Sequence, residues 1–151
     1  MIIIYTDGSS RGNPGPGGYG VVLKYKEHYK EISEGFRKTT NNRMELLAVI
    51  IGLEALKNAK SNVTIYSDSK YVVDAVEKGW LWGWQKKGFA KIKNPDLWQR
   101  FIPAYKKHNV KFQWVKGHAG IPENERCDEL AVEAAMGADL NVDEGYESMT
   151  Q

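Results

Sequence analysis

The sequence predicts an α/β fold, a mixed sheet flanked by helices. Three observations carry this. Three strand-like patterns come first, and after them strands alternate with helices, the order that lays helices against a sheet. The 151 residues, 42% hydrophobic and 26% charged, have ordinary globular composition. That length fits one domain burying about 68–70% of its unfolded surface. Finally, Ile4-Tyr5-Thr6-Asp7 is echoed by Ile65-Tyr66-Ser67-Asp68. Each is an apolar strand ending in a hydroxyl and then an aspartate. As parallel neighbours they would bring both aspartates to one carboxyl edge, where open α/β sheets place ligands.

In chain order, Ile2 to Thr6 reads as a short buried strand. A glycine- and proline-rich loop follows over residues 8–18. Tyr19 to Tyr25 and Tyr29 to Phe36 are the second and third strands. Residues 43–58 carry a helix, with Met44, Leu47, Ala48, Ile51 and Ala55 in one apolar row and Leu46, Ile50, Leu53 and Leu56 in another. So wide an apolar surface means burial on most sides. Val63 to Ser67 is a strand and Lys70 to Lys78 a short helix. Asn94-Pro95 reads as an N-cap with proline at the first helical position, opening a helix to about Lys107. Val110 to Lys116 is the last strand, and Asn124 to Met136 the last helix. Residues 1–138 are expected to form one catalytic domain. Residues 139–151, with Asp139, Asp143, Glu144, Glu147 and no base, are expected to be a flexible acidic tail.

Several classes are excluded. The apolar run that ends in Val49-Ile50-Ile51 is far short of the roughly 20 residues that span a membrane. The N-terminus has no basic region or cleavage site of a secretory signal. A single cysteine, Cys127, rules out an internal disulfide and suits a reducing cytoplasm. His28, His108, His118 and Cys127 show no zinc-ligand spacing. Gly15-Pro16-Gly17-Gly18-Tyr19-Gly20 matches G-x-G-x-x-G literally, but a strand pattern follows it where a dinucleotide site needs a helix.

What remains is carboxylate and basic chemistry. Besides Asp7 and Asp68, Glu45 sits in the first turn of an apolar helix and Asp128 near the start of the last one. Each alone is also what a helix dipole favours at its N-terminus. Together, four carboxylates with no thiol or histidine cluster make a hard oxygen site, the kind that selects magnesium or manganese. The net charge is +2, and removing the four acids of the tail raises it to +6. Residues 78–93 contain Lys78, Lys86, Lys87, Lys91 and Lys93 and no acid, interleaved with Trp80, Trp82 and Trp84. Lysines attract phosphates and aromatic faces pack on sugars or bases, so a polyanion is the partner indicated. Core tryptophans beside a wet lysine edge would produce part of the same pattern.

These segments closely resemble type 1 ribonuclease H, in the bacterial form with a basic protrusion. The matching stretches are Tyr5-Thr6-Asp7-Gly8-Ser9, Gly12 through Gly20, Thr39-Thr40-Asn41-Asn42-Arg43-Met44-Glu45-Leu46, Ser67-Asp68-Ser69, Asp96 through Arg100, Trp114 through Gly120, and Asn124 through Leu130. They run in order from about residue 2 to 136. The resemblance implies a ribonuclease H-like fold, with a five-stranded mixed sheet and helices on both faces. It implies that Asp7, Glu45, Asp68 and Asp128 are catalytic and hold Mg²⁺, with Mn²⁺ a possible substitute and up to two ions when substrate is bound. It implies endonucleolytic hydrolysis of the RNA strand of an RNA–DNA hybrid, leaving 5′-phosphate and 3′-hydroxyl ends. His118 matches the family's mobile-loop histidine, linked to proton transfer or product release.

Substrate contacts are expected from Asn13, Asn41 and Asn42 in the minor groove, from Thr40 to a DNA phosphate, and from Lys70, Trp80, Trp84, Lys86 and Lys87. Lys38, Lys70 and Ser10 depart from the familiar pattern. The expectation is a monomeric cytoplasmic enzyme without membrane contact. A non-cleaving hybrid-binding module would be marked by loss of one carboxylate, and all four are present. An integrase-like strand transferase shares the metal logic, and the asparagine-rich and tryptophan–lysine segments argue against it through the resemblance.

Overall fold

The computed structural model describes residues 1–58, 60–117 and 119–149. Five strands, β1 (Ile2–Ser10), β2 (Gly15–Tyr25), β3 (His28–Thr39), β4 (Asn62–Ser67) and β5 (Asn109–Trp114), form one sheet in the order β3-β2-β1-β4-β5. β1, β2 and β3 pair antiparallel, while β1, β4 and β5 pair parallel. The helices are α1 (Asn41–Glu54), α2 (Lys70–Glu77), α3 (Trp80–Lys86), α4 (Pro95–Lys106), α5 (Pro122–Ala135) and α6 (Glu144–Met149). This is the mixed sheet that the order of patterns predicts.

α1 packs against β1 and β2, and α4 packs on α1; α5 packs against β1, β2 and β3. Every residue of α1 from Arg43 to Leu53 except Ile51 is buried, as its two apolar rows require. It meets Ile4, Val21, Val63 and Ile65 of the sheet and Trp98 and Phe101 of α4 in one core. Each large apolar side chain removed from water there contributes about 1.5–3 kcal/mol. α1 is shorter than the expected 43–58. It starts at the Thr40 cap, whose hydroxyl accepts the Arg43 N–H at 3.3 Å, and stops at Glu54 in a tighter turn closed by Leu56 N–H to Leu53 C=O.

Three local readings are corrected. The loop expected over 8–18 is narrower, because β1 runs on through Gly8–Ser10 and pairs with Gly17–Tyr19 of β2. Asn94 precedes α4 but does not cap it with its side chain. It adopts a left-handed φ of 59° and bonds sideways, its amide to the Tyr71 hydroxyl (3.0 Å) and its carbonyl oxygen to Arg43 (3.3 Å). The acidic stretch expected to be a flexible tail is docked. Asn141 exchanges backbone hydrogen bonds with Gly35 and Arg37 at 2.9 Å each. Asp143 is buried against Arg43 and Thr39, and Glu147 forms a two-bond pair with Arg37. The tail's acids find bases on β3 and α1, which its composition alone could not show.

Candidate active site

Register builds the site. Ile4 lies opposite Ile65 and Tyr5 opposite Tyr66 in the parallel pair. Two residues further along each strand come Asp7 and Asp68, so both reach the same edge, as the echo predicts. Glu45 arrives from above. A Cβ on Gly8 would run into the backbone of Met44 and Glu45, so only glycine lets α1 approach this closely. The Gly8 N–H then donates to Glu45 Oε1 (2.7 Å) and to Asp7 Oδ1 (2.9 Å) together. On the other face, Gly20 pairs with Asp7 across β1 and β2, and a Cβ there would strike the Cys127 carbonyl of α5. That close contact carries Asp128, the next residue, into the cleft lined also by Asp7, Asp68, Thr6, Lys116 and Asn124.

Oxygens of Asp7, Glu45 and Asp68 all lie within 4.8 Å of one another. Asp128 stands outside that group as a wall of the same cleft. Burial pushes the Asp7 carboxyl up to about 8, with the charges of Asp68 and Asp128 adding to it and the hydrogen bond with Glu45 opposing. Glu45, only 7% exposed, is raised well above the usual carboxylate range, first by burial and then by Asp7 and Asp68. Anions crowded together in this way are costly to a protein and useful to a cation.

A hard divalent ion fits this cluster. The donors are all carboxylate oxygens, which suit magnesium or manganese. Asp68 Oδ1 is buried and has no hydrogen-bond partner among the described residues. An unpaired buried acceptor is expensive unless a ligand completes it.

The remaining expected residues are more scattered. Asn13 and Asn41 are neighbours, with Asn13 Oδ1 accepting the Asn41 N–H at 3.1 Å, and both are exposed, as is Asn42. Thr40 is half-buried as the α1 cap. Lys86 and Lys87 are exposed at the end of α3. The tryptophans divide: Trp80 is 49% exposed with Lys78 over its ring, whereas Trp84 packs edge-on against Trp98 at 5.6 Å and Trp82 against Tyr105 at 5.9 Å. Trp84 thus anchors the basic protrusion to the core. Lys70 is exposed, its ammonium 4.8 Å from the centre of the Trp114 ring. His118 lies outside the described residues. Lys116 and Asn124 line the cleft although sequence reasoning did not single them out as site residues. Asn124 Oδ1 is buried without a partner among the described residues, and only its place one turn before Asp128 could have flagged it.

A five-stranded mixed sheet with carboxylates gathered at its parallel edge places the chain among proteins of ribonuclease H-like fold. The chain belongs to the ribonuclease H family, whose model, RNase H, matches residues 1–136. It is 61% identical over 147 residues to a ribonuclease H of Desulforamulus reducens, covering 94% of this chain and 92% of the relative. It is 59% identical over 151 residues to one of Syntrophus aciditrophicus, covering 97% and 87%. Among solved structures, it is similar to LC9-RNase H1, a type 1 RNase H, with a TM-score of 0.82 and 35% identity over 99% of this chain and 80% of that one. It is also similar to LC11-RNase H1, solved in complex with RNA/DNA hybrid, with a TM-score of 0.64 and 31% identity over 89% and 96%. The family and the cleft make the chain a hydrolase of the nuclease class. No described helix is long and apolar enough to cross a membrane.

Proposed function

We propose that the chain cleaves the RNA strand of RNA–DNA hybrids endonucleolytically, with magnesium as working metal and manganese able to replace it, leaving 5′-phosphate and 3′-hydroxyl ends. The observation that carries this is the meeting of Asp7, Glu45 and Asp68 within 4.8 Å, with Asp128 on the wall of the same cleft. These four residues would hold up to two ions. When bound, divalent ions neutralise the phosphodiester's charge, activate a water and stabilise the leaving oxygen.

The protein's own groups do the rest. The Gly8 N–H orients Asp7 and Glu45 as a unit. Asn13 spends its carbonyl oxygen on Asn41, leaving its NH₂ for a ligand. With Asn41 and Asn42 it offers amides to the wide minor groove, where 2′-hydroxyls are displayed. Thr40 uses a lone pair on the helix cap, and its hydroxyl hydrogen remains for a DNA-strand phosphate. Lys86 and Lys87 anchor the duplex further along, Trp80 and Lys70 add contacts, and Trp84 acts by holding the protrusion. His118 carries a proton near neutral pH or clears product. This recognition follows shape and sugar identity, so base-sequence preference is weak. Residues 1–138 serve as the catalytic domain of a cytoplasmic monomer. The test is incubation with matched RNA–DNA, RNA–RNA and DNA–DNA duplexes, with and without magnesium. Cleavage confined to the hybrid with magnesium is expected; chelator-resistant activity or equal cutting of DNA would overturn it.

A further inference from the structure

Trp114 is a large apolar side chain left 39% exposed at the end of β5, and the reading above gives it nothing to do. Its indole is nevertheless engaged on both sides. The Nε1–H donates to the Asp68 backbone carbonyl at 3.1 Å. The ring face carries the Lys70 ammonium 4.8 Å from its centre, within the range of a cation–π contact. The chain beyond Trp114 continues into the cleft, where Val115 donates to Ser67 and Lys116 and Gly117 form part of the wall. Asp68 therefore has its peptide fixed by one edge of a ring whose face holds a cation two residues further along.

We propose that Trp114 is a positioning residue serving both arms of the site: its N–H fixes the peptide that carries Asp68, and its ring holds Lys70 where the ammonium takes a backbone phosphate of the bound nucleic acid. The second arm rests on the hybrid reading above; the first does not. Lysine has a long, flexible stem whose rotamer freedom is lost when its ammonium is fixed. Resting on a ring beforehand removes part of that cost from binding. A partner that orients a metal-ligating carboxylate acts on ion affinity, with typical losses of 10–100-fold when it is removed.

The two arms are separable. Trp114→Phe keeps a ring for Lys70 and deletes the N–H. Titration calorimetry with Mn²⁺ alone should then show affinity about tenfold weaker, with KM for the hybrid little changed. Lys70→Gln should raise KM and flatten the log–log salt dependence of binding by about 0.9, leaving Mn²⁺ affinity alone. Made in a Trp114→Leu background, Lys70→Gln should have less than half that effect, because the ring that placed the ammonium is gone. Trp114→Thr, a good strand residue, serves as a second ringless background if Trp114→Leu does not fold. Wild-type Mn²⁺ affinity in Trp114→Phe overturns the first arm, and equal Lys70→Gln effects in the two backgrounds overturn the second. If the wild-type chain fails to cut hybrids, the functional reading falls, while the Mn²⁺ titration still decides the Trp114–Asp68 link.

Discussion

Helix α1 buries two charged side chains two residues apart, and the protein treats them in opposite ways. Arg43 is 1% exposed and fully answered: Asp96 and Asp143 each accept two hydrogen bonds of 2.7–2.9 Å from its guanidinium. Burial works against the guanidinium's charge, but the two carboxylates outweigh it and its pKa moves upward, while Asp96 is drawn down. Glu45 is nearly as buried and meets Asp7 and Asp68 instead of a base, so its pKa rises. One cluster is complete and ties β3, α1, α4 and the C-terminal segment together. The other is completed only by something that binds. A buried charge with its partner marks architecture, and a buried charge among its own kind marks a site.

The largest effect expected from this contrast is loss of chemistry. Asp7→Asn keeps the side chain's shape and its bond to Gly8 while removing one ligand charge. Turnover of the hybrid should nearly vanish while the fold persists and hybrid binding survives. Retention of more than about a tenth of wild-type kcat, a barrier change under roughly 1.4 kcal/mol, would break the assignment.

Next comes architecture. Arg43→Ala leaves Asp143 buried without its counter-charge, a change that typically costs about 3–5 kcal/mol. Urea denaturation should show a loss of that size, and added magnesium should not repair it. A loss below about 1 kcal/mol would mean that the cluster is not what closes the C-terminal segment onto α1.

The two clusters were not equally legible in the sequence. The carboxylate edge could be read because a strand echo fixes register and period: Thr6-Asp7 and Ser67-Asp68 fall at matching strand ends, and Glu45 opens a helix whose apolar rows announce its burial. The Arg43 cluster joins residues 53 and 100 positions apart through loops with no periodicity. Asn94 looked like a cap and is instead a left-handed corner; Asp143 looked like a solvated tail charge and is buried. Trp82 and Trp84 could not be told from Trp80 until the core position of Trp98 was known, since packing partners far along the chain carry no local signal.

Lys86 and Lys87 of the protrusion provide a third, milder case, in which charge is exposed and meets no carboxylate among the described residues. Replacing Lys86 and Lys87 together by Ala should weaken hybrid binding chiefly at low salt and flatten the log–log salt slope by about 0.9 for each lost phosphate contact, with kcat little changed. An unaltered slope would return these lysines to a merely solvated surface.

The smallest expected effect sharpens the contrast most, because it reverses the sign seen at Arg43. Removing charge from the carboxylate cluster should stabilise the metal-free protein. Asp7 holds its proton up to about 8 in the folded state, against about 3.9 in an unfolded chain. A carboxyl whose folded pKa is raised contributes its full stability below the unfolded value and loses it as pH climbs through the folded one. The metal-free wild type should therefore weaken between about pH 4 and pH 8, and Glu45, raised in the same direction, adds to the slope. Asp7→Asn removes one of the titrating groups and relieves Glu45 of the anion that acts on it most strongly. In the presence of chelator, its melting temperature should exceed that of wild type by at least about 2 °C at pH 8.5, the shift that roughly 1 kcal/mol produces in a chain of this size. At pH 5, where the Asp7 carboxyl of the wild type stays largely protonated, less than half of that gain should remain. Magnesium should reverse the ranking at the higher pH, because only the wild-type cluster gains a counter-ion of full strength. Thermal melts of the two proteins at both pH values, with chelator and with magnesium, check all four corners. A gain equal at the two pH values would mean that the benefit comes from packing rather than from relieved charge.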